Sequence, residues 1–274
     1  MPANYSISLN RMSAPRLALD AYLALCQRLD VRQIEIRNDL DGVEINDGTS
    51  AQHIKELTQA AGITVRSINA LQRFDQFDAT RGTEALTLIK YAAACGAEAL
   101  VLCPTNSLRD SRSATERHAA LVAALTALKP MLEQHGVQGL IEPLGFEECA
   151  VRRKSQAVLA MYDAGAENTF RLVHDTFHHH LAGEDIFFPN LTGLIHVSGV
   201  EDQGAAVAEL RDKHRVLVGR ADRLGNISQI RTLLARGYTG CISYEPFAEE
   251  VAASASIEQE LRASIAFLRD GIGG

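Results

Sequence analysis

The sequence predicts an α/β fold of the (β/α)₈ TIM-barrel class, formed by residues 1–274 as a single domain. Short runs of apolar and β-branched residues alternate along the whole chain with longer segments of helical periodicity. Repeated strand–helix units form parallel sheets, and eight such units in 274 residues are typical of a closed barrel. A doubly wound open sheet is disfavoured because no Gly-x-Gly-x-x-Gly motif follows the first strand.

Eight segments have the length and composition of β-strands. They are rich in Val, Ile and Leu and are bounded by Gly, Asn, Asp or Pro, which commonly end strands. In chain order they are Ser6–Asn10, Gln33–Arg37, Ile63–Asn69, Ala99–Cys103, Gln138–Glu142, Arg171–Asp175, Gly193–Val197 and Cys241–Glu245.

Seven segments, six between these strands and one after the last, have apolar residues at helical spacing. They are Pro15–Leu29, Ala51–Ala61, Thr83–Cys95, Thr115–His135, Ser155–Ala164, Ile227–Ala235 and Ile257–Leu268. A glycine follows several of them just before the next strand, as is common at helix C-termini. Ser13 is the expected N-cap of the first helix. The stretch 198–226, between the seventh and eighth strands, has no clear assignment.

Composition and charge exclude several classes of protein. A hydrophobic fraction of 46% with 22% charged residues excludes a disordered or collagen-like chain. The net charge of −7 argues against a general nucleic-acid or membrane-surface binder. Five widely spaced cysteines without a Cys-x-x-Cys pair predict reduced thiols and a cytoplasmic protein. The segment MPANYSISLN lacks the features of a signal peptide, and no apolar run is long enough for a membrane span.

Four consecutive predicted strands carry a potential metal ligand at their C-terminal ends. In this barrel class the active site lies at those ends, and the residues there are Glu142, Asp175, His196 and Glu245. Because side chains alternate along a strand, each shares a face with the residue two positions before it. Three carboxylates at one barrel mouth repel one another unless a cation neutralises them or one takes up a proton. The set therefore predicts one divalent metal ion, Mn²⁺, Mg²⁺, Co²⁺ or Zn²⁺.

Each of these residues also has a structural explanation when it is considered alone. A Glu before a Pro, as at Glu142 and Glu245, commonly faces solvent at a strand end, and a strand His is commonly a hydrogen-bonded core residue. The occurrence of four such residues on consecutive strands favours the metal site. Arg37 and Asn69 either line the substrate side or pair between strands, and Glu35 has the same two interpretations.

These residues and several local motifs resemble the xylose-isomerase-like TIM-barrel superfamily of sugar-phosphate isomerases and epimerases. Within it, the sequence is similar to the branch of inosose (2-keto-myo-inositol) isomerases. The motifs are Leu9-Asn10, Ile34-Glu-Ile-Arg37, Asn69-Ala-Leu71, Ile141-Glu-Pro-Leu-Gly145, His174-Asp-Thr-Phe-His-His-His180, Asp212-Lys-His-Arg215 and Ser243-Tyr-Glu-Pro246. The resemblance spans nearly the whole chain and is strongest between residues 140 and 247.

The resemblance implies roles for individual residues. In this family the strand-end residues bind one divalent metal ion, which assigns that role to Glu142, Asp175, His196 and Glu245. Substrate contacts are implied for His178, Arg215 and Glu148. The chain departs from the family in the loop that begins at Arg215, where one proline and one glycine are lost and Arg220 and Arg223 are added.

The expected reaction is isomerisation or epimerisation of a polyol ketone, such as a keto-inositol or a ketose, through an enediolate. This reaction needs a base beside the carbon that loses its proton, and a Lewis acid at the carbonyl oxygen and the adjacent hydroxyl oxygen of the substrate. We expect Glu142 and Glu245 to be the acid/base pair, and Asp175 and His196 to be ligands only.

Three other functions stay open at this point. A metal-dependent dehydratase of a related cyclic polyol ketone or shikimate-type substrate would use the same ion and a similar enolate. A zinc endonuclease of the same superfamily would need a three-metal cluster and a basic groove, which the net charge of −7 disfavours. A non-catalytic barrel would bind sugar without turnover. The expected partner is a small polyol ketone, with neither nucleic acid nor a membrane, and the sequence leaves a homo-oligomer open.

Overall fold

Eight parallel strands close into a barrel in the computed structural model, which describes residues 5–273, and this confirms the predicted (β/α)₈ fold. Each strand pairs with the next, and the eighth pairs with the first to close the sheet. In barrel order the strands are β1 (Ser6–Asn10), β2 (Gln33–Arg37), β3 (Thr64–Gln72), β4 (Ala99–Cys103), β5 (Gln138–Ile141), β6 (Phe170–Asp175), β7 (Thr192–Val197) and β8 (Cys241–Tyr244).

Helices surround the barrel and connect its strands. Those found in residues 5–273 are α1 (Leu19–Arg28), α2 (Ala51–Ala61), α3 (Ala79–Cys95), α4 (Ala114–His135), α5 (Lys154–Asp163), α6 (Thr176–Ala182), α7 (Asn226–Ala235), α8 (Glu249–Ala252) and α9 (Ile257–Ile272). Within the same residues, no helix combines the length and the apolar character that a membrane crossing requires.

The starts of two helices lie four residues from the predicted ones. The first helix begins at Leu19, and Ser13 does not cap it, because the Ser13 hydroxyl donates to the carbonyl of Tyr244 at 3.0 Å. The third helix begins four residues before the predicted Thr83, because the Asp78 side chain caps it by accepting from a backbone N–H of its first turn. Apolar periodicity detects neither the Asp78 cap nor the hydrogen bond that occupies Ser13.

Two apolar layers support the barrel. The outer layer lies between the strands and the helices and includes Ile34, Leu102 and Ile195 from the strands. The inner layer fills the barrel and consists of Ala70, Ala99, Val101, Cys103, Leu140, Val173, Leu194 and Cys241. Three of these residues stand two positions before a predicted metal ligand. Glu142, Asp175 and His196 therefore each follow an apolar inward-facing residue and lie at the C-terminal mouth of the barrel.

Candidate metal centre and cavity at the barrel mouth

The four predicted metal ligands converge at the C-terminal mouth. Asp175 ends β6, His196 is the penultimate residue of β7, and Glu142 and Glu245 directly follow β5 and β8. The two glutamates are still fixed by the sheet, because their backbone N–H groups donate to strand carbonyls of β4 and β7 at 3.1 and 2.9 Å. One ligand atom from each of the four side chains lies within 4.8 Å of the other three, and all four residues are buried.

His196 lies at the centre of this group. Its Nδ1 atom is 2.9 Å from Glu142 Oε1, 3.2 Å from Glu245 Oε2 and 4.0 Å from Asp175 Oδ2. Metal bonds of about 2.1 Å to nitrogen and oxygen place neighbouring ligand atoms about 3 Å apart. The spacing and the chemistry of this donor set therefore fit a divalent cation.

Two buried arginines neutralise part of the carboxylate charge. Arg215 donates from Nη2 to Asp175 Oδ2 at 2.6 Å and to Glu245 Oε2 at 3.0 Å. Arg37 donates from Nη1 to Glu245 Oε1 at 2.8 Å, and Asp39 holds its guanidinium through two further hydrogen bonds of 2.7 Å. Both arginines therefore hold Glu245 in one orientation.

The pKa values of Glu245 and His196 are shifted in opposite directions by the charges around them. Burial raises the pKa of the Glu245 carboxyl, but His196 and the two arginines lower it by more, so this carboxyl stays ionised. Burial lowers the pKa of the His196 ring, but the surrounding carboxylates, Glu245 foremost, raise it well above its usual value. Both directions have one cause, the close contact between the His196 ring and the carboxylates around it.

Glu35, on β2, lies at the other end of the His196 ring. Its two oxygens are 3.1 and 3.2 Å from His196 Nε2, and it also accepts from Ser67 Oγ at 2.5 Å, from Asn69 Nδ2 at 2.8 Å and from Ser243 Oγ. Burial raises the pKa of Glu35, but the histidine lowers it by more, to about 2. Of the two interpretations from sequence, the structure places Glu35 in pairing between strands.

A cavity of about 300 Å³ opens above the four ligands. Glu142 and Glu245 line it, whereas Asp175 and His196 are not among its lining residues. This volume is at the lower end of the range for small-ligand pockets, about 300–1,000 Å³. The two glutamates are therefore the ligands that a molecule in the cavity would meet.

Four of the five predicted substrate contacts line this cavity, namely His178, Arg215, Asn69 and Arg37. The fifth, Glu148, lines a neighbouring groove, on the other side of Phe146. The structure thus places Glu148 apart from the cavity, whereas Phe146, two residues earlier, lines both the cavity and the groove.

Helix α6, which the sequence did not predict, positions His178. Asp175 Oδ1 caps this helix by accepting from the N–H groups of Phe177 and His178 at 2.8 and 3.0 Å. The side chain of His178 is buried, and its Nδ1 atom has no hydrogen-bond partner in residues 5–273. A seven-residue helix with three histidines has little apolar periodicity, and its one sequence signal was an Asp at the N-cap position.

A buried ion pair holds α6 against α5. Lys154 Nζ lies 3.1 Å from Glu184 Oε2, and the Glu184 carboxylate also accepts from the N–H groups of Lys154 and Ser155 at 3.0 Å each. His179 accepts from the same ammonium at 2.5 Å, and burial together with this ammonium lowers its pKa to about 4. His179 is therefore neutral and part of the support behind the cavity.

Comparison with known proteins finds a matching family and a curated relative. Residues 23–271 match the model of a family described as xylose isomerase-like TIM barrel. The inosose isomerase of Bacillus licheniformis is 30% identical over 137 residues, 48% of each chain, so the match spans about half the length of this curated relative.

Two solved structures extend the similarity to the whole chain. A xylose isomerase domain containing protein from Salmonella typhimurium LT2 has a TM-score of 0.89 at 30% identity, covering 97% of both chains. The IolI protein, solved with a bound zinc atom, has a TM-score of 0.85 at 23% identity, covering 97% of this chain and 98% of that one. The chain therefore belongs to the xylose isomerase-like TIM-barrel family.

Proposed function

We propose that this protein is a divalent-metal-dependent isomerase or epimerase of a polyol ketone, such as a keto-inositol or a ketose. The observation that carries the proposal is the convergence of four buried ligands below a cavity that two of them line. Similarity to an inosose isomerase supports the reaction class, and the zinc atom of the IolI structure supports the metal. The five cysteines, all free and buried, agree with a cytoplasmic location.

Four residues would hold the ion, Glu142, Asp175, His196 and Glu245. When bound, a divalent ion supplies a Lewis acid that stabilises negative charge on the substrate oxygens during proton removal. The three carboxylates and one imidazole provide a formal charge of about −3, which suits a cation of the Mn²⁺, Mg²⁺, Co²⁺ or Zn²⁺ type.

We assign proton transfer to Glu142 and Glu245, because they are the two ligands that face the cavity. In residues 5–273, the one hydrogen-bond partner of Glu142 Oε2 is Cys103 Sγ at 3.6 Å, a weak donor that leaves this oxygen free to accept a proton. Glu245 is fixed by two arginines and lies across the same site. Asp175 and His196 act as ligands only.

We assign the substrate oxygens to four side chains that line the cavity, His178, Arg215, Asn69 and Arg37. The Nδ1 atom of His178 is buried without a partner, so a substrate hydroxyl would satisfy it. The two arginines donate to carboxylates in the structure and have further N–H groups for a polyol. The side-chain N–H groups of Asn69 are already donated to Glu35 and Ser67, so its carbonyl oxygen Oδ1 is the atom that would accept from a substrate hydroxyl.

The test is the replacement of each proposed acid/base residue by its amide, Glu142→Gln and Glu245→Gln. Removal of a general acid or base lowers kcat by roughly 10²–10⁴-fold, so we expect at least a hundredfold loss in each variant with the ion still bound. Turnover is measured by NMR over a panel of inososes and ketoses, and the metal content of each variant is measured in parallel.

The matched control is Glu147→Gln, which neutralises an exposed glutamate outside the cavity and should keep wild-type turnover. Full turnover by either Glu142→Gln or Glu245→Gln with its metal bound would contradict the assignment. The same spectra separate the reactions, because an isomer keeps all atoms of the substrate and a dehydration product lacks the elements of water.

A further inference from the structure

We propose that Glu35 is the residue that orients His196 for the metal ion, by accepting a hydrogen bond from Nε2–H and thereby presenting Nδ1 to the ion. This inference rests on the metal-binding part of the proposed function. Glu35 is a positioning residue in this account, since it acts through His196 and does not line the cavity.

The two nitrogens of the His196 ring face different carboxylates. Nδ1 faces the ligand carboxylates, with Glu142 Oε1 at 2.9 Å, whereas Nε2 faces both oxygens of Glu35 at 3.1 and 3.2 Å. A metal-bound imidazole has no proton on the bound nitrogen, so its remaining proton lies on the other one. With Nδ1 toward the ligand set, that proton lies on Nε2 and points at Glu35.

Glu35 is itself held rigidly. Its side chain has no solvent exposure, and it accepts hydrogen bonds from Ser67 and Asn69 on β3 and from Ser243 on β8. Donors from two further strands therefore fix the direction of its oxygens. Burial of a carboxylate costs free energy unless such partners satisfy its oxygens. A buried glutamate at this position is explained if its function is to orient the His196 ring.

A purely structural role for Glu35 would predict a different effect of its replacement. If the residue served only to pair strands inside the barrel, its loss would lower stability and leave the affinity for metal unchanged. If it orients His196, its loss weakens metal binding in a protein that is still folded. Metal affinity is thus the property that separates the two roles, and it does not depend on knowing the substrate.

The first test is Glu35→Gln, measured as the dissociation constant for Zn²⁺ by competition with a chelator. The amide removes the negative charge opposite Nε2–H and replaces one of the two acceptor oxygens by an N–H donor. Mutation of a partner that orients a ligating histidine weakens metal binding by roughly 10–100-fold, and we expect a change in this range. The matched control is Glu44→Gln, which neutralises another buried glutamate whose partner is Arg11. Glu44→Gln should lose stability but keep the wild-type Zn²⁺ affinity.

An unchanged Zn²⁺ affinity in folded Glu35→Gln protein would overturn the inference. The second test needs no variant and uses wild-type protein loaded with Zn²⁺ and labelled with ¹⁵N at histidine. We expect the NMR spectrum to show His196 bound through Nδ1, with an exchange-protected proton on Nε2. A ring bound through Nε2 would overturn the inference even if Glu35→Gln did not fold.

The two proposals fail in different ways. If the wild-type chain bound no divalent ion, the proposed function and this inference would both be wrong. If it bound Zn²⁺ and the variant or the His196 resonances disagreed with expectation, only the role of Glu35 would be wrong.

Discussion

At the residue scale, Asp175 joins the fold to the site. One oxygen of its carboxylate caps α6, and the other accepts from Arg215 beside the proposed metal position. Alternation along β6 predicted that this side chain would face inward, because Val173 two positions earlier belongs to the barrel core. The capping role could not be predicted in the same way, because it depends on the turn that the chain makes after the strand.

Arg215 provides the first prediction at this scale. Its guanidinium is 1% exposed and bridges Asp175 and Glu245, so Arg215→Met leaves two buried carboxylates without their shared cation. Breaking a buried ion pair costs about 3–5 kcal/mol, and we expect a loss of this size in the free energy of unfolding of metal-free protein, measured in urea. Added Zn²⁺ should restore part of the loss.

The control for this prediction is Arg16→Met. Arg16 also pairs with a glutamate, Glu249, but its side chain is 60% exposed, and exposed pairs contribute about 0–1 kcal/mol. Equal losses in the two variants would show that Arg215 does not compensate buried charge at the mouth.

The predictability of the site also differs among residues. The convergence of the four proposed ligands could be predicted from strand ends and alternation, because a parallel strand is short, buried and regular. Arg215 comes from an irregular loop and was expected only from the family resemblance, since no local pattern directs a loop side chain. Glu35 had two interpretations, because a charged residue inside a barrel shows its partners only when all eight strands are in place.

At the element scale, the turn after β5 and helix α6 pack against each other through Gly145. Its φ of +71° lies in the left-handed region, and a Cβ atom at this position would overlap the carbonyl oxygen of His178. The glycine therefore allows the turn to approach the helix that carries His178. This contact explains the position of α6 better than any feature of its own sequence.

We predict that Gly145→Ala destabilises the protein and lowers turnover. An alanine in the left-handed region costs about 1–2 kcal/mol, and overpacking adds about 1–3 kcal/mol, so we expect a total loss of about 2–5 kcal/mol in urea unfolding. Turnover should fall as well, because the helix carrying His178 has to move. Gly62→Ala is the control, since Gly62 has a similar φ of +66° and nothing within 4 Å of its Cβ position. Equal losses in both variants would mean that the contact does not position α6.

The strands and long helices could be predicted because their apolar patterns are local. The segment 198–226 could not, and in the structure it contains the short 3₁₀ helices Val207–Glu209 and Asp212–His214 and an isolated bridge between Gly199 and Val216. Its order depends on contacts between residues distant in sequence, such as the hydrogen bond of 3.0 Å from Arg215 Nε to Ser198 Oγ. Such contacts leave no periodic signal.

At the scale of the whole molecule, barrel closure assembles the site. Pairing of β8 with β1 brings Asn10 within hydrogen-bond distance of Glu245, 235 positions away, and the interior places Glu35 against His196, 161 positions away. The eight-strand count predicted that strand-end residues such as His196 and Glu245 would share one mouth. The distances that distinguish ligands from supporting residues depend on the stagger between strands, which the sequence pattern does not specify.

The proposed function requires that this protein remove a proton next to a carbonyl with the help of a divalent ion. The most direct measurement is deuterium incorporation in D₂O, followed by NMR with a panel of inososes and ketoses. We predict exchange at a carbon beside the carbonyl of at least one compound, loss of this exchange when a chelator removes the metal, and its return when Mn²⁺ or Zn²⁺ is added back. Absence of exchange with every compound, in protein that carries its metal, would contradict the account.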